Sequence, residues 1–312
     1  MRVLLLAAGV SIFAVVVWLA GPRLVLEMLW RVGWSFPLAA GVYAGQVAVR
    51  AAALRHSVLG QPLRYADVLR IRLSGEAVEW LTFTGPFLAE PTKGVLLKAH
   101  GIPAAVAFAA VATEYLMYLV VSSAANAAAM GLLLWGGLLP AAARPAAIVL
   151  LAAATGFLAA TAAAAITGIG LIVPILRASR VAIGARRAQS AAGAVAPVER
   201  VIVAFLHEHP RRLVEVVLLE CAALALLMAE VRIVMAALGF VLTWPNVLIL
   251  EGGAKSASAA FVPGQFGVSE ALYALLAGAV GVPAATGLTL ALVRRLRGLL
   301  VGLVGLGVTR AR

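Results

Sequence analysis

Two parts of the chain carry related copies of one unusual apolar segment. The pentapeptide Gly-Ile-Pro-Ala-Ala at 101–105 recurs as Gly-Val-Pro-Ala-Ala at 281–285, 180 positions later. At the same offset Glu90 corresponds to Glu270. Repetition at a nearly constant offset indicates a chain built from two structural repeats. This duplication limits the fold strongly, because both copies are expected to adopt the same local structure.

Each copy is interrupted by helix-breaking residues shortly before its glutamate. The break is Gly85-Pro86 in the first copy and Pro263-Gly264 in the second. Broken helices in corresponding positions of two halves are typical of membrane transporters, whose substrate site lies where the repeats meet. The pattern therefore predicts a first repeat at 50–123 and a second repeat at 232–307.

The composition places the duplicated segment in a membrane. Hydrophobic residues make up 63% of the 312 residues, charged residues make up 12%, and the mean hydropathy is +1.04. A soluble domain carries about 25% charged residues. We expect an all-α, polytopic helical membrane protein with a single integral membrane domain over 1–312. Each repeat is expected to contain a broken re-entrant helical hairpin.

Charge and reactive side chains exclude several other classes of protein. The net charge is +12, with 25 Lys and Arg residues against 13 acidic ones. Basic residues concentrate in the cytoplasmic loops of membrane proteins, and this chain lacks the aromatic platforms of a nucleic-acid site. The single Cys221 and the four scattered histidines suggest neither a disulfide framework nor a metal site. We expect no metal, no cofactor, no nucleic-acid partner and no catalytic set of residues.

Apolar runs predict where the chain crosses the membrane. Full spans are expected at 3–20, 33–53, 103–123, 125–140, 145–172, 213–238 and 284–307, the first of them uncleaved. The stretches 66–100 and 245–281 are split in the middle, so each half is short for a full crossing and suits a re-entrant hairpin. Tryptophans near span ends are expected to be interfacial anchors, namely Trp30, Trp34, Trp80, Trp135 and Trp244.

Two basic segments orient these spans. One contains Arg55, Arg64, Arg70 and Arg72, and the other is a predicted basic cytoplasmic loop at 171–212, itself a candidate for an amphipathic surface helix. The positive-inside rule places both segments in the cytoplasm, so that the two repeats are inverted relative to each other. Two cytoplasmic ends require an even number of crossings, whereas three full spans are predicted between them. Either 66–100 crosses once or one of the three spans does not cross.

Ionisable residues within the apolar segments are the candidates for a binding site. A charge at bilayer depth costs at least about 2.5 kcal/mol, so it needs a partner or a wet cavity. Glu90 and Lys93 are three positions apart and share one helix face. They form either a local ion pair or part of a site at the start of a half-helix, where free backbone N–H groups can hold a phosphate.

The second copy offers a similar arrangement. Residues 263–270 read Pro-Gly-Gln-Phe-Gly-Val-Ser-Glu, so Pro263, Gly264 and Gly267 permit a close backbone approach and Glu270 opens the next helix. A tight water-exposed turn also explains this pattern by itself. We interpret residues 263–270 as part of a site because the first copy carries a matching pattern.

Two residues at equivalent positions carry opposite charges. Glu114 and Arg294 are 180 positions apart, and they are expected to form a buried ion pair or to share an anion cavity. The other interpretation is that Arg294, Arg295 and Arg297 lie near a membrane face and extend to the headgroups. Three arginines within four positions point in different directions around a helix, so not all are expected to face one cavity.

Specific motifs resemble a known family. The segment 260–270, followed by Val-Arg-Arg at 293–295, resembles the second half of the lysylphosphatidylglycerol synthase transmembrane-domain family, also called flippase-like membrane proteins. The segments 83–93 and 113–115 resemble its first-half motif, and the resemblance covers roughly residues 5–308. The first-half Glu is often followed by Arg in that family, whereas Tyr follows it here, which leaves Arg294 and Lys93 as the candidate headgroup-binding cations.

The resemblance implies a bacterial or archaeal inner-membrane, multi-pass protein that handles lipids. No soluble aminoacyl-transferase domain precedes the end of the chain at Arg312, so synthase activity is not expected. The leading hypothesis is a transporter that moves a polar or anionic lipid between leaflets, with proton coupling unsupported by any specific signal. The proposed binding residues are Glu90, Lys93, Glu114, Pro263, Gly264, Gly267, Glu270 and Arg294.

An alternative hypothesis keeps the cavity but not the transport. The protein would then be a non-transporting accessory protein that presents membrane lipids to a partner lipid-modifying enzyme. An intramembrane enzyme is a weaker interpretation, because no nucleophile–base pair emerges from the sequence.

Overall fold

The computed structural model describes residues 30–60, 63–82, 85–170, 172–179, 184–256 and 268–310, together with Arg23 and Glu27. The predicted first span at 3–20 and the residues Pro263, Gly264 and Gly267 lie outside the described part. All regular secondary structure in the described part is helical, which confirms the all-α fold.

Eleven α-helices are found in the described residues. They are α1 (Ser35–Ser57), α2 (Tyr65–Leu81), α3 (Pro86–Ala99), α4 (Ala104–Trp135), α5 (Arg144–Thr167), α6 (Ile172–Ala178), α7 (Ala185–Glu208), α8 (Pro210–Ala237), α9 (Trp244–Ala254), α10 (Val268–Ala279) and α11 (Ala284–Arg310). A single 3-10 turn at Ala141–Ala143 precedes α5.

Glycine and proline place the break within the first broken segment. Gly85 has φ of 53°, in the left-handed region that glycine adopts without a steric penalty. Pro86 follows as the first residue of α3, where its missing N–H is not needed for a helical hydrogen bond. The predicted interruption of 66–100 is therefore observed as the junction of α2 and α3.

Within the described part of the chain, three helices are long and apolar enough to cross a membrane. They are α4, α7 and the segment 141–167 that contains α5, judged by length and composition. The separate spans predicted at 103–123 and 125–140 are wrong, since α4 runs through both as one helix of 32 residues. Residues 104–130 contain no glycine or proline that would interrupt a helix. The two basic segments are thus separated by two long helices instead of three, an even number that agrees with the common location predicted for them.

The segment predicted as a basic cytoplasmic loop is largely helical. It contains α6 and α7, and α7 buries Ile202 and Phe205 in a core shared with α1, α4 and α8. The opposite side of α7 exposes its basic residues, including Arg200. An amphipathic helix is therefore present in 171–212, and the cytoplasmic location of this segment stays a prediction.

Long-range packing interleaves the two ends of the chain. Helix α8 packs along α1, α11 packs on α2, and α9 packs on α4. The largest described core cluster draws on α1, α4, α5, α8, α9, α10 and α11, and its members Leu133, Val234 and Leu290 are fully buried. The two apolar halves are therefore folded against each other as one body of helices.

Helix boundaries recur at the offset of the sequence repeat. The ends of α1 and α8, the starts of α2 and α9, the ends of α3 and α10, and the starts of α4 and α11 are each 179 or 180 residues apart. The turn before α4 contains Gly101 with φ of 85°, and the turn before α11 contains Gly281 with φ of 79°. Equivalent breakers thus terminate equivalent helices.

Two close helix contacts also occur at equivalent positions. A Cβ atom on Gly305 of α11 would overlap the carbonyl oxygen of Leu73 on α2. A Cβ atom on Gly252 of α9 would overlap the carbonyl oxygen of Ala125 on α4. Small residues let helix backbones approach closely inside a membrane, where lipid supplies no hydrophobic force between helices.

Candidate functional site

A fully buried carboxylate gathers three cations. Glu114 of α4 binds Arg50 Nη2 at 2.7 Å and Arg72 Nη1 at 3.2 Å through one oxygen. Its second oxygen lies 3.5 Å from Lys93 Nζ. These cations come from α1, α2 and α3, so Glu114 links α4 to all three of these helices. We call this group and its direct partners the first cluster.

Further carboxylates complete the first cluster. Arg50 also contacts Glu220 of α8 at 3.3 Å, and Lys93 binds Glu90 at 2.6 Å. Arg72 binds Glu76, one turn along α2, at 2.7 Å. The predicted local pair of Glu90 and Lys93 is therefore observed within a larger network.

A second cluster is centred on a cation. Arg294 of α11 binds Glu251 of α9 at 2.6 Å and Glu230 of α8 at 3.2 Å, and it donates to the hydroxyl of Tyr273. Glu251 also binds Lys255 at 2.9 Å. A further cation, Arg297, binds both oxygens of Glu230, its Nη2 at 2.9 Å. These groups form the second cluster.

The two clusters correspond residue by residue with their charges exchanged. The pair Arg50–Glu114 has its counterpart in Glu230–Arg294, 180 positions later. The pairs Arg72–Glu114 and Arg72–Glu76 have counterparts in Glu251–Arg294 and Glu251–Lys255, where Arg72 and Glu251 are 179 positions apart. Reversing both charges of a pair preserves its attraction, so each cluster is stable with the opposite sign at its centre.

Two tyrosines connect the clusters. The Tyr43 hydroxyl donates to Glu76 at 2.7 Å, and the guanidinium of Arg297 lies 3.4 Å from the centre of the Tyr43 ring. The Tyr118 ring lies 4.2 Å from Arg50 and 5.4 Å from Lys255. Both distances are within the range of cation–π attraction. The ion pairs and the two aromatic contacts therefore form a closed ring of interactions.

This ring surrounds a cavity of about 220 Å³. Its wall contains the basic residues Arg50, Arg72, Lys255, Arg294, Arg295 and Arg297, the acidic residues Glu76, Glu79 and Glu251, and the aromatic residues Tyr43, Trp80, Tyr118 and Tyr273. Polar and ionisable side chains inside a membrane protein are rare and mark substrate or ion pathways. The cavity is therefore the candidate binding site.

Two arginine N–H groups in the cavity wall lack a partner within the described residues. They are Nε of Arg72 and Nη1 of Arg297, and these two residues are only 2% and 3% exposed. The remaining nitrogens of both arginines hold carboxylates. A buried charged donor without an acceptor is unfavourable, so these N–H groups are suited to bind an oxygen of a ligand.

Only part of the predicted site lines the cavity directly. Arg294 does so. Glu90, Lys93 and Glu114 lie outside the wall and reach it through ion pairs, since Glu114 binds the wall residues Arg50 and Arg72. Glu270 binds the wall residue Arg295 at 2.5 Å and accepts from Ser269 at 2.9 Å. Pro263, Gly264 and Gly267 are outside the described residues.

Three expectations are corrected by this geometry. Glu114 and Arg294 do not pair with each other, because each is saturated by partners from its own cluster. Arg294, Arg295 and Arg297 all line the one cavity, since they span an arc of about 160° on the helix and have long side chains. Arg294 and Arg297 are buried in ion pairs and do not extend to a membrane face.

Two further residues have roles that differ from those expected. Arg72, assigned to a basic loop by sequence, is buried in α2, and its spacing of four from Glu76 was the available signal. Trp80, expected as an interfacial anchor, lines the cavity and donates to Glu76 at 3.2 Å. By contrast, Trp30, Trp34 and Trp135 are almost fully exposed.

Comparison with known proteins places the chain in a family. A search of curated proteins and a search of solved structures find no match. The family model for the lysylphosphatidylglycerol synthase TM region matches residues 6–305. Because this match covers nearly the whole chain, the protein belongs to the lysylphosphatidylglycerol synthase TM region family, membrane proteins tied to lipid metabolism.

Proposed function

We propose that this protein is a flippase-like lipid transporter that moves a lipid with a polar or anionic headgroup between the two leaflets. The observation that carries the proposal is the cavity of about 220 Å³ ringed by the two charge clusters. A site of this kind at membrane depth accepts a headgroup that the hydrocarbon region excludes. The acyl chains remain in the surrounding lipid.

The chemistry of the cavity wall favours an anionic headgroup. Six basic side chains face three carboxylates in the wall, and the carboxylates that balance the surplus, such as Glu114 and Glu230, lie behind it. The partnerless N–H groups of Arg72 and Arg297 are donors of the type that binds phosphate oxygens. The two arginines belong to α2 and α11, so one headgroup would contact both ends of the chain.

The proposal includes two related repeats, 50–123 and 232–307, in inverted orientation. Matching helix boundaries, the equivalent contacts at Gly252 and Gly305, and the charge-exchanged clusters support this arrangement. The pairs α2–α3 and α9–α10 are then re-entrant hairpins. Their helices have 17, 14, 11 and 12 residues, each short of the roughly 20 that a full crossing requires.

Transport without chemical conversion is the proposed activity. Membrane lipids are the proposed ligands, and the proposed location is multi-pass in the bacterial inner membrane, which the family and the apolar helices support. The ion pairs commit the charged groups of both clusters to holding helices and shaping the cavity. Charged groups that hold helices and shape a cavity are suited to binding and moving a headgroup.

Replacing Glu90 and Glu270 together with glutamine is expected to reduce lipid flux at least tenfold while leaving the fold intact. Both carboxylates are at the rim of the network, with side chains 16% exposed. Glutamine is similar in size but removes the negative charge that Glu90 places beside Lys93 and that Glu270 places beside Arg295, so the potential in the cavity changes. Flux of headgroup-labelled anionic and neutral lipids in proteoliposomes measures the effect.

The matched control is Glu215→Gln, which removes an exposed carboxylate paired with His56 at 2.9 Å on the surface. It should transport like the wild type, and size-exclusion chromatography should show all variants folded. Unchanged flux in the double variant would reject the assigned role of Glu90 and Glu270. Wild-type protein that retains copurified lipid but transports none would favour the accessory function, in which lipid is presented to a partner enzyme.

A further inference from the structure

Glu79 differs from the other carboxylates around the cavity. It lies on α2, lines the cavity wall, and has no ion pair or hydrogen bond with any described residue. By contrast, two other carboxylates of the wall each have two partners. Glu76 binds Arg72 and accepts from the hydroxyl of Tyr43. Glu251 binds both Lys255 and Arg294. An ionised carboxylate without a counter-ion is unfavourable in a low-dielectric site, so its presence needs an explanation.

Glu79 is also the carboxylate in excess when the charges around the cavity are compared. Among the residues that the structure describes, seven basic side chains take part in the network, namely Arg50, Arg72, Lys93, Lys255, Arg294, Arg295 and Arg297. The seven carboxylates that pair with them are Glu76, Glu90, Glu114, Glu220, Glu230, Glu251 and Glu270. Glu79 is the eighth carboxylate, and it gives the network one negative charge in excess.

The described residues around Glu79 offer it no uncommitted cation. On its own helix, Arg72 binds Glu76 and Glu114. Helix α1 contributes Arg50, which binds Glu114 and Glu220, and the hydroxyl of Tyr43, which donates to Glu76. Helix α3 contributes Glu90 and Lys93, which bind each other.

The described residues of α11 and α4 also supply no uncommitted cation for Glu79. Helix α11 packs on α2, and its arginines 294, 295 and 297 bind Glu230, Glu251 and Glu270. Helix α4 contributes Glu114, already paired with three cations, and Tyr115, a neutral side chain that also interacts with Glu79 electrostatically. Nearby Glu76 and Glu90 repel a negative charge on Glu79, whereas Arg72 and Arg50, which are already committed to other carboxylates, attract it.

We propose that Glu79 binds one proton when an anionic headgroup occupies the cavity and releases it when the headgroup leaves. An anion placed beside an ionised Glu79 would bring two like charges together in a site of low dielectric. Protonation converts the carboxylate into a neutral carboxylic acid, the proton coming from water, and the headgroup keeps its negative charge. One monoanionic lipid and one proton would then enter and leave together without net charge movement.

This inference rests on the proposed function in one respect, namely that the ligand carries an anionic headgroup. It is tested by titrating short-chain phosphatidylglycerol into the detergent-purified protein by calorimetry in two buffers of different ionisation enthalpy. The wild type should take up about one proton per bound lipid, and its affinity should fall up to about tenfold for each unit of increasing pH. Zwitterionic phosphatidylcholine should bind without proton uptake.

Glu79→Gln should bind phosphatidylglycerol without proton uptake and with an affinity that no longer depends on pH. The substitution removes no ion pair, so the variant should fold, which size-exclusion chromatography checks. Glu208→Gln, at the exposed end of α7, is the matched control and should behave like the wild type. In proteoliposomes, a pH difference of one unit should shift the wild-type lipid distribution up to about tenfold, with no shift for Glu79→Gln.

Failure of this inference is distinguishable from failure of the proposed function. Binding by the wild type without proton uptake, or equal uptake by Glu79→Gln, would overturn the role of Glu79 and leave lipid binding in place. Absence of phosphatidylglycerol binding by the folded wild type would overturn the anionic-lipid site itself, and the role of Glu79 with it.

Discussion

Replacing Glu114 with alanine is expected to prevent the protein from accumulating in a folded form. The substitution leaves three cations, Arg50, Arg72 and Lys93, facing one another in a buried site. Removing one partner of a buried ion pair costs about 3–5 kcal/mol, and here one carboxylate serves three partners. The free energy of unfolding of a domain is only about 5–15 kcal/mol, so the substitution is expected to remove most of it.

Expression of fluorescent fusions followed by size-exclusion chromatography in mild detergent measures this effect. The folded peak of Glu114→Ala should be at least about tenfold smaller than that of the wild type. Glu215→Ala is the control, because the carboxylate of Glu215 is 51% exposed and its loss should leave the peak unchanged. A folded Glu114→Ala protein with an unchanged melting temperature would show that the first cluster does not hold α1, α2 and α3 together.

Replacing Gly305 with alanine is expected to destabilise the protein, although alanine is the better helix former. The new methyl group would overlap the carbonyl oxygen of Leu73, and a Cβ of Ala77 lies 3.1 Å away. Backbone atoms cannot move aside as a flexible side chain can, so α11 must shift away from α2. Overpacking of this kind costs about 1–3 kcal/mol, more than the ~1 kcal/mol gained from helix propensity.

The matched control lies two residues away on the same helix. A Cβ on Gly307 would meet no atom within 4 Å, so Gly307→Ala should leave the melting temperature unchanged or raise it. Gly252→Ala should resemble Gly305→Ala, because it forces α9 away from Ala125 in the equivalent contact. Equal melting temperatures for Gly305→Ala and Gly307→Ala in detergent would contradict the close packing of α2 and α11.

Several elements were predictable because their signals are local. Gly85 and Pro86 interrupt a helix wherever they occur, and α3 begins at the predicted break. Helices α4 and α11 begin at Ala104 and Ala284, within one residue of the starts predicted for the spans 103–123 and 284–307. The pair of Glu90 and Lys93 was predicted because three positions on a helix bring side chains together.

Other predictions failed where the signal was ambiguous. The apolar stretch 103–140 is long enough for two short spans or one long helix, and hydropathy does not distinguish them without a breaker. The charge-exchanged clusters were missed because a comparison by residue identity passes over Arg50 and Glu230, or Arg72 and Glu251, as mismatches. Their common feature is a buried charge at an equivalent position, and only the sign differs.

The sequence by itself determined that this is a helical membrane protein, and it predicted a duplicated broken segment, because apolar content, helix breakers and their offset are properties of the chain alone. Which charges meet was decided only by the tertiary structure. Glu114 binds Arg72, which is 42 positions away in the sequence, and Arg294 binds Glu230, which is 64 positions away. Sequence spacing predicts side-chain contacts only within about one helical turn, whereas a buried charge takes its partners from whichever helices pack against it.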